Sequence, residues 1–111
     1  MDTPQLLKGV LPAATLSVVA AGDAYGYRIL HDLRANGLDG VGDASVYGTL
    51  QRLYDGGLLS AYLSTSDTGP TRKYYSITDA GRAALKDGRE RWRTFQAVVT
   101  RLLDASDGVS Q

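Results

Sequence analysis

The stretch that decides the fold is residues 43–78, DASVYGTLQRLYDGGLLSAYLSTSDTGPTRKYYSIT. Its first part has the spacing of a helix, because apolar residues recur at i, i+4 and i+7 as Val46, Leu50 and Leu53. Two segments rich in tyrosine and β-compatible residues follow, Leu58–Ser64 and Arg72–Ile77, with Asp, Gly and Pro in the loop between them. The stretch therefore predicts a helix followed by a β-hairpin.

Polar and basic side chains in this stretch are placed for contact with nucleic acid. Ser45, Thr49 and Arg52 lie one position out of step with the apolar residues, so we expect a polar stripe on the outer face of the helix. Arg72 and Lys73 follow the hairpin tip and should point in alternate directions. Such a helix fits the major groove of duplex DNA, and the hairpin can reach the flanking backbone. The pattern predicts a winged helix-turn-helix. The alternative to DNA contact is that the polar helix face and the hairpin are simply exposed to solvent. Arg52 could instead form an intramolecular ion pair.

Two helices are predicted upstream. The first covers Gln5–Ala21 and either begins near Pro12 or kinks there, because proline lacks the N–H that an inner helical turn needs. The second covers Ala24–Ala35, with Asp23 as its N-cap. Its inward residues are expected to be Tyr27, Leu30 and Leu33. Gly26, in its first turn, indicates a close approach by another backbone, and Asp43 is the expected cap of the third helix.

A last helix follows, capped by Thr78 and running to about Asp104. Its apolar positions are spaced by seven, three, four and three residues, and they are Leu85, Trp92, Phe95, Val99 and Leu102. This is a heptad seam, which requires a partner helix. Gly88 occupies the missing seam position. Since glycine is unfavourable within a helix, its presence suggests space there for another group, such as a ligand. The division expected is a DNA-binding domain at 1–78, a dimerisation helix at 79–105 and a flexible tail at 106–111.

Composition narrows the function classes. The chain has 111 residues, twelve cationic and twelve anionic side chains, one histidine and no cysteine. We therefore expect one small domain with no disulfide, no metal, no cofactor and no catalytic group, so the protein should not be an enzyme. No signal peptide or membrane span is indicated, and a cytoplasmic location is expected. The zero net charge counts mildly against nucleic-acid binding, whose usual footprint is a basic surplus.

An ordered set of motifs resembles the PadR family of bacterial transcriptional regulators. The resemblance covers nearly the whole chain, and the short C-terminal part is similar to the small subfamily with one final helix. The motifs are Leu6-Leu7-Lys8-Gly9-Val10-Leu11, Tyr25-Gly26-Tyr27, Ser45-Val46-Tyr47 with Leu50, Arg52 and Leu53, Gly57-Leu58, Gly69 to Tyr75, and Thr78-Asp79-Ala80-Gly81. Two departures lie on or beside the reading helix and bear on the target sequence: Gly48 stands where many relatives carry proline, and Tyr54 where many carry glutamate.

The resemblance implies a mainly α fold with a small β-hairpin, a winged helix-turn-helix plus a C-terminal dimerisation helix. It implies a homodimer in which the last helix packs on the partner's first and last helices, with an interface of Leu7, Val10, Leu11, Leu85, Trp92, Phe95, Val99 and Leu102. A two-fold dimer implies an inverted-repeat operator in double-stranded DNA. The family also implies repression of a nearby operon and release by a small, often aromatic, effector.

Aromatic residues allow more than one role. Tyrosine can pack its ring in the core and offer its hydroxyl to a phosphate. The candidates for such DNA contacts are Tyr25, Tyr47 and Tyr75, whereas Tyr27 is expected in the core. Trp92 either packs at the interface or, paired with its symmetry mate, sandwiches a flat ligand. The alternative for the whole chain is a winged-helix module that binds protein instead of DNA.

Overall fold

The computed structural model describes residues 3–65 and 69–109, with the side chains of residues 8–65 and 69–105. It contains four helices and a three-stranded antiparallel sheet in the strand order β1-β3-β2. The elements are α1 Thr3–Ala21, β1 Ala24–Tyr25, α2 Gly26–Ala35, α3 Asp43–Asp55, β2 Leu59–Thr65, β3 Thr71–Ile77 and α4 Asp79–Val109. This confirms the predicted fold class, a mainly helical chain with a β-hairpin, and adds a short third strand.

Helix α1 runs through its proline. It spans Thr3–Ala21 with Pro12 inside, so of the two alternatives at Pro12 a start of the regular helix there is excluded. The predicted stop is confirmed, because the helix ends at Ala21 and the N–H of Gly22 donates to the carbonyl of Val19 at 3.1 Å. None of the helices within the described ranges combines the length and the apolar character that crossing a membrane requires.

The start of α2 differs from the expectation. Ala24 and Tyr25 form strand β1, paired with Tyr75 and Tyr74 of β3, and the helix begins only at Gly26. The predicted N-cap role of Asp23 is therefore wrong. Its carboxylate instead accepts a hydrogen bond of 2.7 Å from the hydroxyl of Tyr62. Pairing with β3 provides the backbone hydrogen bonds of this segment. Because the two residues of β1 separate Asp23 from Gly26, its side chain is not at the N-cap position of α2.

Helix α3 is likewise capped differently. Its N-cap is Gly42, and Asp43 is the first helical residue, so the predicted cap role of Asp43 is wrong. The Asp43 carboxylate accepts a 3.0 Å bond from Nη2 of Arg34, which also donates to the carbonyl of Val41. Arg34 thus ties the end of α2 to the start of α3 and fixes the loop between the two helices.

One core lies between the first three helices and the sheet. The predicted inward residues Val46, Leu50 and Leu53 are buried in it, as are Leu30 and Leu33. Tyr27, predicted to be in the core, is 66 % exposed, because Ile29 occupies the inward position on that turn instead.

The two long strands form the wing hairpin. Strands β2 and β3 pair from Leu59 opposite Ile77 to Thr65 opposite Thr71. The predicted strand segments are confirmed to within one residue at each end. The loop residues 66–68 lie outside the described part of the chain.

Helix α4 begins at the predicted cap. The hydroxyl of Thr78 accepts the N–H of Gly81 at 3.0 Å and donates to the carbonyl of Gly57 at 2.7 Å. The helix then extends to Val109, so the predicted boundary near Asp104, with a flexible tail from residue 106, is too early. The first part of the helix packs on the domain, and Ala84 and Leu85 contact the core. Almost every side chain from Arg89 to Ala105 is exposed.

Gly81 provides the closest packing between α4 and the domain. A Cβ at this position would collide with the carbonyl oxygen of Leu58 and would lie 2.7 Å from Cγ1 of Ile77. The carbonyl of Leu58 is a backbone group at the turn into β2, and Ile77 is packed against the core. Neither neighbour can therefore move away at low energetic cost.

We expect Gly81→Ala to lower the free energy of unfolding by about 1–3 kcal/mol, as overpacking does. The matched control is Gly48→Ala, where a Cβ would meet only Nη1 of Arg52, at 3.6 Å. That substitution should raise stability by up to about 1 kcal/mol, since alanine favours the helix. Urea unfolding of both variants measures the contrast, and a Gly81→Ala variant as stable as the parent would contradict the packing described.

Candidate nucleic-acid interface

The predicted polar stripe on α3 is only partly exposed. Ser45 and Arg52 are exposed, but Thr49 is 1 % exposed, so the predicted outward position of Thr49 is wrong. Its hydroxyl donates to the carbonyl of Ser45 at 2.7 Å and accepts from Nη2 of Arg52 at 3.2 Å. The reason is helical geometry, because Thr49 lies three residues after Val46 and four before Leu53 and so shares their buried face.

After Asp43, whose carboxylate is paired with Arg34, the exposed face of α3 carries small side chains at its N-terminal end. It begins with Ala44 and Ser45, continues past the half-exposed Gly48, and carries Gln51 and Arg52 further along. Small side chains allow a helix backbone to approach another surface closely. The hydrogen bond to Thr49 draws the guanidinium of Arg52 back along the helix, beside Gly48.

A second group of side chains, from three separate segments, surrounds Gly26. We call it the tyrosine–cation cluster, and it lines a shallow cleft of about 530 Å³. Its members are Tyr25, Tyr27, Tyr47, Arg72, Lys73 and Tyr75. All of them except Tyr27 are among the residues for which DNA contact was predicted, and the fold brings them together.

Gly26 allows the Tyr47 ring to lie against the start of α2. A Cβ on Gly26 would be 3.1 Å from Cζ and 3.2 Å from Oη of Tyr47, and it would collide with Cε1. The predicted close approach is thus made by a side chain, not by another backbone. Tyr25, the N-cap of α2, makes no side-chain capping bond. The first N–H groups of the helix therefore lack a side-chain acceptor, next to the phenol of Tyr47.

The two wing cations lie over different aromatic rings. The guanidinium of Arg72 lies 4.3 Å above the ring of Tyr25. The ammonium of Lys73 lies 5.1 Å from the centroid of Tyr54 and 5.4 Å from that of Tyr75. Among the described side chains, those of residues 8–65 and 69–105, no salt bridge involves either cation. Both are oriented by aromatic rings, which leave their positive charge available.

A row of rings supports Tyr25 from behind. Tyr74 meets Tyr25 edge-on at 5.5 Å and stacks on Tyr62 at 5.7 Å. Tyr62 in turn donates to the Asp23 carboxylate, and this hydrogen bond, with desolvation and the Asp23 charge, raises the pKa of the Tyr62 phenol. Because the folded-state pKa is raised above 10.0, this bond stabilises the fold below that pH and is lost as pH rises through the shifted value.

The tyrosines differ in how far they can reach a ligand. Tyr47 is exposed and Tyr25 half-buried, whereas Tyr75 is buried, with its ring against the core. Tyr27, exposed at the edge of the cluster, was missed as a site residue. Its neighbour in sequence, Gly26, was the available signal, because a glycine in a first helical turn marks a close contact there.

The predicted dimer residues divide into two groups. Leu11 is 5 % exposed within the core of its own chain, and Val10 and Leu85 pack against that core. The Leu7 side chain lies outside the described residues. Trp92, Phe95 and Leu102 are exposed by 47 %, 61 % and 67 %, and Val99 is half-buried. Val98 and Leu103, not predicted, extend this apolar strip.

Gly88 does not leave the space inferred for it. A Cβ there would lie 3.2 Å from the Cβ of Ala13, so Gly88 marks a close crossing of α1 and α4 within one chain. The inference of an open position on the seam is therefore wrong. Trp92 lies one turn further along, with its ring centroid 6.3 Å from that of Phe95.

The contact between Gly26 and Tyr47 can be tested directly. Gly26→Ala should destabilise the fold less than Gly81→Ala, because the Tyr47 ring can rotate away whereas a backbone carbonyl cannot. In a Tyr47→Ala background the penalty of Gly26→Ala should vanish, and a double-mutant cycle of urea unfolding measures this coupling. Additive effects of the two substitutions would refute the contact.

Comparison with known proteins places these features in a family. Residues 15–87 match the Transcriptional regulator PadR-like family. A PadR-like transcriptional regulator from Bacillus cereus superposes with a TM-score of 0.81 at 35 % identity, covering 89 % of this chain and 96 % of that one. A Streptococcus transcriptional regulator gives 0.80 at 30 % identity, covering 88 % and 96 %.

A structural relative solved with DNA is also similar. Bacillus subtilis PadR, whose crystal structure is a complex with operator DNA, gives a TM-score of 0.62 at 27 % identity over 70 % of this chain and 45 % of that one. The family is one of transcriptional regulators, not of enzymes. The chain belongs to the PadR-like family of transcriptional regulators.

Proposed function

We propose that this protein is a sequence-specific regulator that binds double-stranded DNA as a homodimer, at an inverted-repeat operator. Helix α3 enters the major groove, and the tyrosine–cation cluster holds the adjacent phosphates. The protein acts as a repressor, and a small effector lowers its affinity for DNA. The similarity to a regulator crystallised with operator DNA supports DNA as the partner.

The tyrosine–cation cluster is the observation that carries this proposal. It joins the uncapped start of α2, the exposed phenol of Tyr47 and the charge of Arg72 in one shallow cleft. Helix N-termini, phenolic hydroxyls and arginine are the groups that proteins use to bind phosphate oxygens. The cleft lies between α3 and the wing, so a DNA strand that leaves the major groove next to α3 would reach it.

Base contacts then fall to the exposed start of α3. Ser45 can hydrogen-bond a base edge, and Arg52 can reach guanine if it leaves its bond to Thr49. Thr49 is assigned no base contact, because its side chain is buried and its hydroxyl is occupied. Its role is to position Arg52.

A module that binds protein instead of DNA is the second candidate, because the net charge of the chain is zero. The two can be separated by the salt dependence of duplex binding. Each phosphate contact contributes about 0.9 to the slope of log K against log salt concentration.

We expect Arg72→Gln and Lys73→Gln each to weaken binding to all duplexes alike and to reduce that slope by about 1. Arg89→Gln, an exposed cation on α4, is the matched control and should leave the slope unchanged. Fluorescence anisotropy with a labelled genomic duplex at several salt concentrations provides the measurement. Wing variants that both retain the parental slope would show that the wing does not engage phosphate.

We infer the homodimer from the apolar strip on α4. From residue 89 to residue 105 almost every side chain of α4 is exposed, and the exposed set includes Trp92, Phe95, Val98, Leu102 and Leu103. A contiguous apolar strip of this kind marks an interface, and its heptad spacing suits a second helix. The copy of α4 in a second chain is the partner with matching spacing.

We expect the chain to sediment with twice its mass of 11.9 kDa at micromolar concentration. Phe95→Glu should shift it towards the monomer, because a charge placed in an apolar interface must be desolvated. Gln96→Glu adds the same charge to the neighbouring exposed position and should leave the dimer intact. A parent chain that sediments as a monomer and keeps its full helicity would rule out the dimer.

Trp92 is the proposed contact for the effector. Its indole is half exposed near the expected dimer axis, where two copies can enclose a planar apolar molecule. Such a molecule would alter the angle between the two α4 helices and hence the spacing of the two α3 helices, which lowers DNA affinity by population shift.

Because Trp92 is the only tryptophan, its emission reports on this site alone. We expect a planar aromatic compound that releases the DNA also to change the Trp92 emission. If a compound releases the DNA and leaves the emission unaltered, the effector site lies elsewhere and Trp92 is a packing residue.

A further inference from the structure

Lys73 of the wing lies between two tyrosine rings that come from different parts of the fold. Its ammonium is 5.1 Å from the ring centroid of Tyr54, at the end of α3, and 5.4 Å from that of Tyr75, on β3 itself. Tyr75 belongs to the tyrosine–cation cluster, whereas Tyr54 lies outside it. The side chain of Lys73 therefore connects the wing to the C-terminal end of the helix proposed to enter the major groove.

The backbone that carries each ring is firmly held. Tyr75 is buried, and it lies on β3, the central strand of the sheet. At Tyr54 the helix ends in a Schellman turn, in which the N–H of Gly57 donates to the carbonyl of Tyr54 at 3.0 Å. The second bond of the turn, from the N–H of Leu58 to the carbonyl of Leu53, is 2.9 Å long. Gly57 has a φ of +77°, the left-handed conformation that such a turn needs.

The rings orient Lys73 without cancelling its charge. In the part of the chain whose side chains are described, Lys73 takes part in none of the salt bridges. Asp55, the residue after Tyr54, instead accepts a 2.9 Å hydrogen bond from Nε2 of Gln51. An aromatic face attracts a cation and leaves it charged, whereas a paired carboxylate would offset that charge. Lys73 is thus held in place with its positive charge available.

We propose that Tyr54 is a positioning residue for DNA binding, which holds the Lys73 ammonium at a fixed place relative to α3. This inference rests on the proposed function, in which the wing binds phosphate. A lysine that is already oriented loses less side-chain entropy when it binds a phosphate oxygen. Tyr54 acts through Lys73, and its ring aligns the wing cation with the helix that is proposed to contact the bases.

Duplex binding by the full chain tests this role. Tyr54→Leu keeps an apolar side chain but removes the ring, and it should lower duplex affinity by about two- to tenfold, the effect of ordering one long side chain. The slope of log K against log salt concentration should remain parental, because Lys73 is still charged. Tyr54→Phe, the conservative variant that retains the ring, should restore parental affinity.

A carboxylate at the same position should have a different effect. In Tyr54→Glu the new charge can pair with Lys73, so the slope should fall by about 1, as in Lys73→Gln. Gln96→Glu adds the same charge to an exposed position on α4 and should leave the slope unchanged. A parental slope in Tyr54→Glu would contradict the placement of Lys73 beside residue 54.

A double-mutant cycle distinguishes positioning from a structural role. In a Lys73→Gln background, Tyr54→Leu should cause no further loss of duplex affinity, because the ring has no ammonium to hold. Tyr54 is 43 % exposed, so the fold should tolerate these substitutions, and urea unfolding of each variant checks this. An equal loss of affinity with and without Lys73 would overturn the positioning role while leaving the proposed function intact.

NMR of the free protein tests the contact separately from DNA binding. The ring current of Tyr54 should shift the Cε protons of Lys73 upfield in the parent and in Tyr54→Phe, and the shift should be smaller in Tyr54→Leu. An identical shift in all three proteins would refute the contact. A parent chain that shows the shift but binds no duplex would refute the proposed function, and the role of Tyr54 in DNA binding with it.

Discussion

The architecture of the candidate interface depends on a two-residue pairing, that of β1 with the central strand β3. Tyr25 lies opposite Tyr74, and this fixes where α2 begins. Gly26 then presents an open surface to the Tyr47 ring from α3, while β3 itself carries Arg72 and Lys73. One short pairing therefore helps to set the relative positions of α3, the start of α2 and the wing. Aromatic stacking behind Tyr25 and the bond between Tyr62 and Asp23 hold that pairing in place.

Features set by local sequence were predictable, and features set by distant neighbours were not. The apolar repeat of α3, the two wing strands and the Thr78 cap depend on residues a few positions apart, and the structure confirms them. The short strand β1 was missed because its pairing partners are distant in sequence, with Ala24 opposite Tyr75 and Tyr25 opposite Tyr74. A segment of two residues is too short for its hydrophobic pattern to distinguish a strand from a helical turn.

Glycines illustrate the same limit. The sequence marks Gly26 and Gly88 as unusual helical residues, but what each one accommodates is decided by tertiary packing. Gly26 makes room for the ring of Tyr47, and Gly88 for the Cβ of Ala13. Thr49 shows a related difficulty, because one residue of drift around α3 separates an exposed position from a buried one. Its neighbours Ser45 and Arg52 were correctly placed on the surface.

The molecule separates its tasks along its length of 64 Å. The compact domain carries the tyrosine–cation cluster, and the projecting half of α4 carries the apolar strip. On the proposed function, a change in dimer geometry would alter the spacing of the two copies of α3. Hydroxyl-radical footprinting of the genomic fragments that the protein retains tests the central claim most directly, because a two-fold dimer must present two copies of α3 to one duplex. The account predicts two protected half-sites in an inverted repeat, with centres one helical turn of about 34–36 Å apart or a multiple of it. Protection of a single asymmetric site would contradict it.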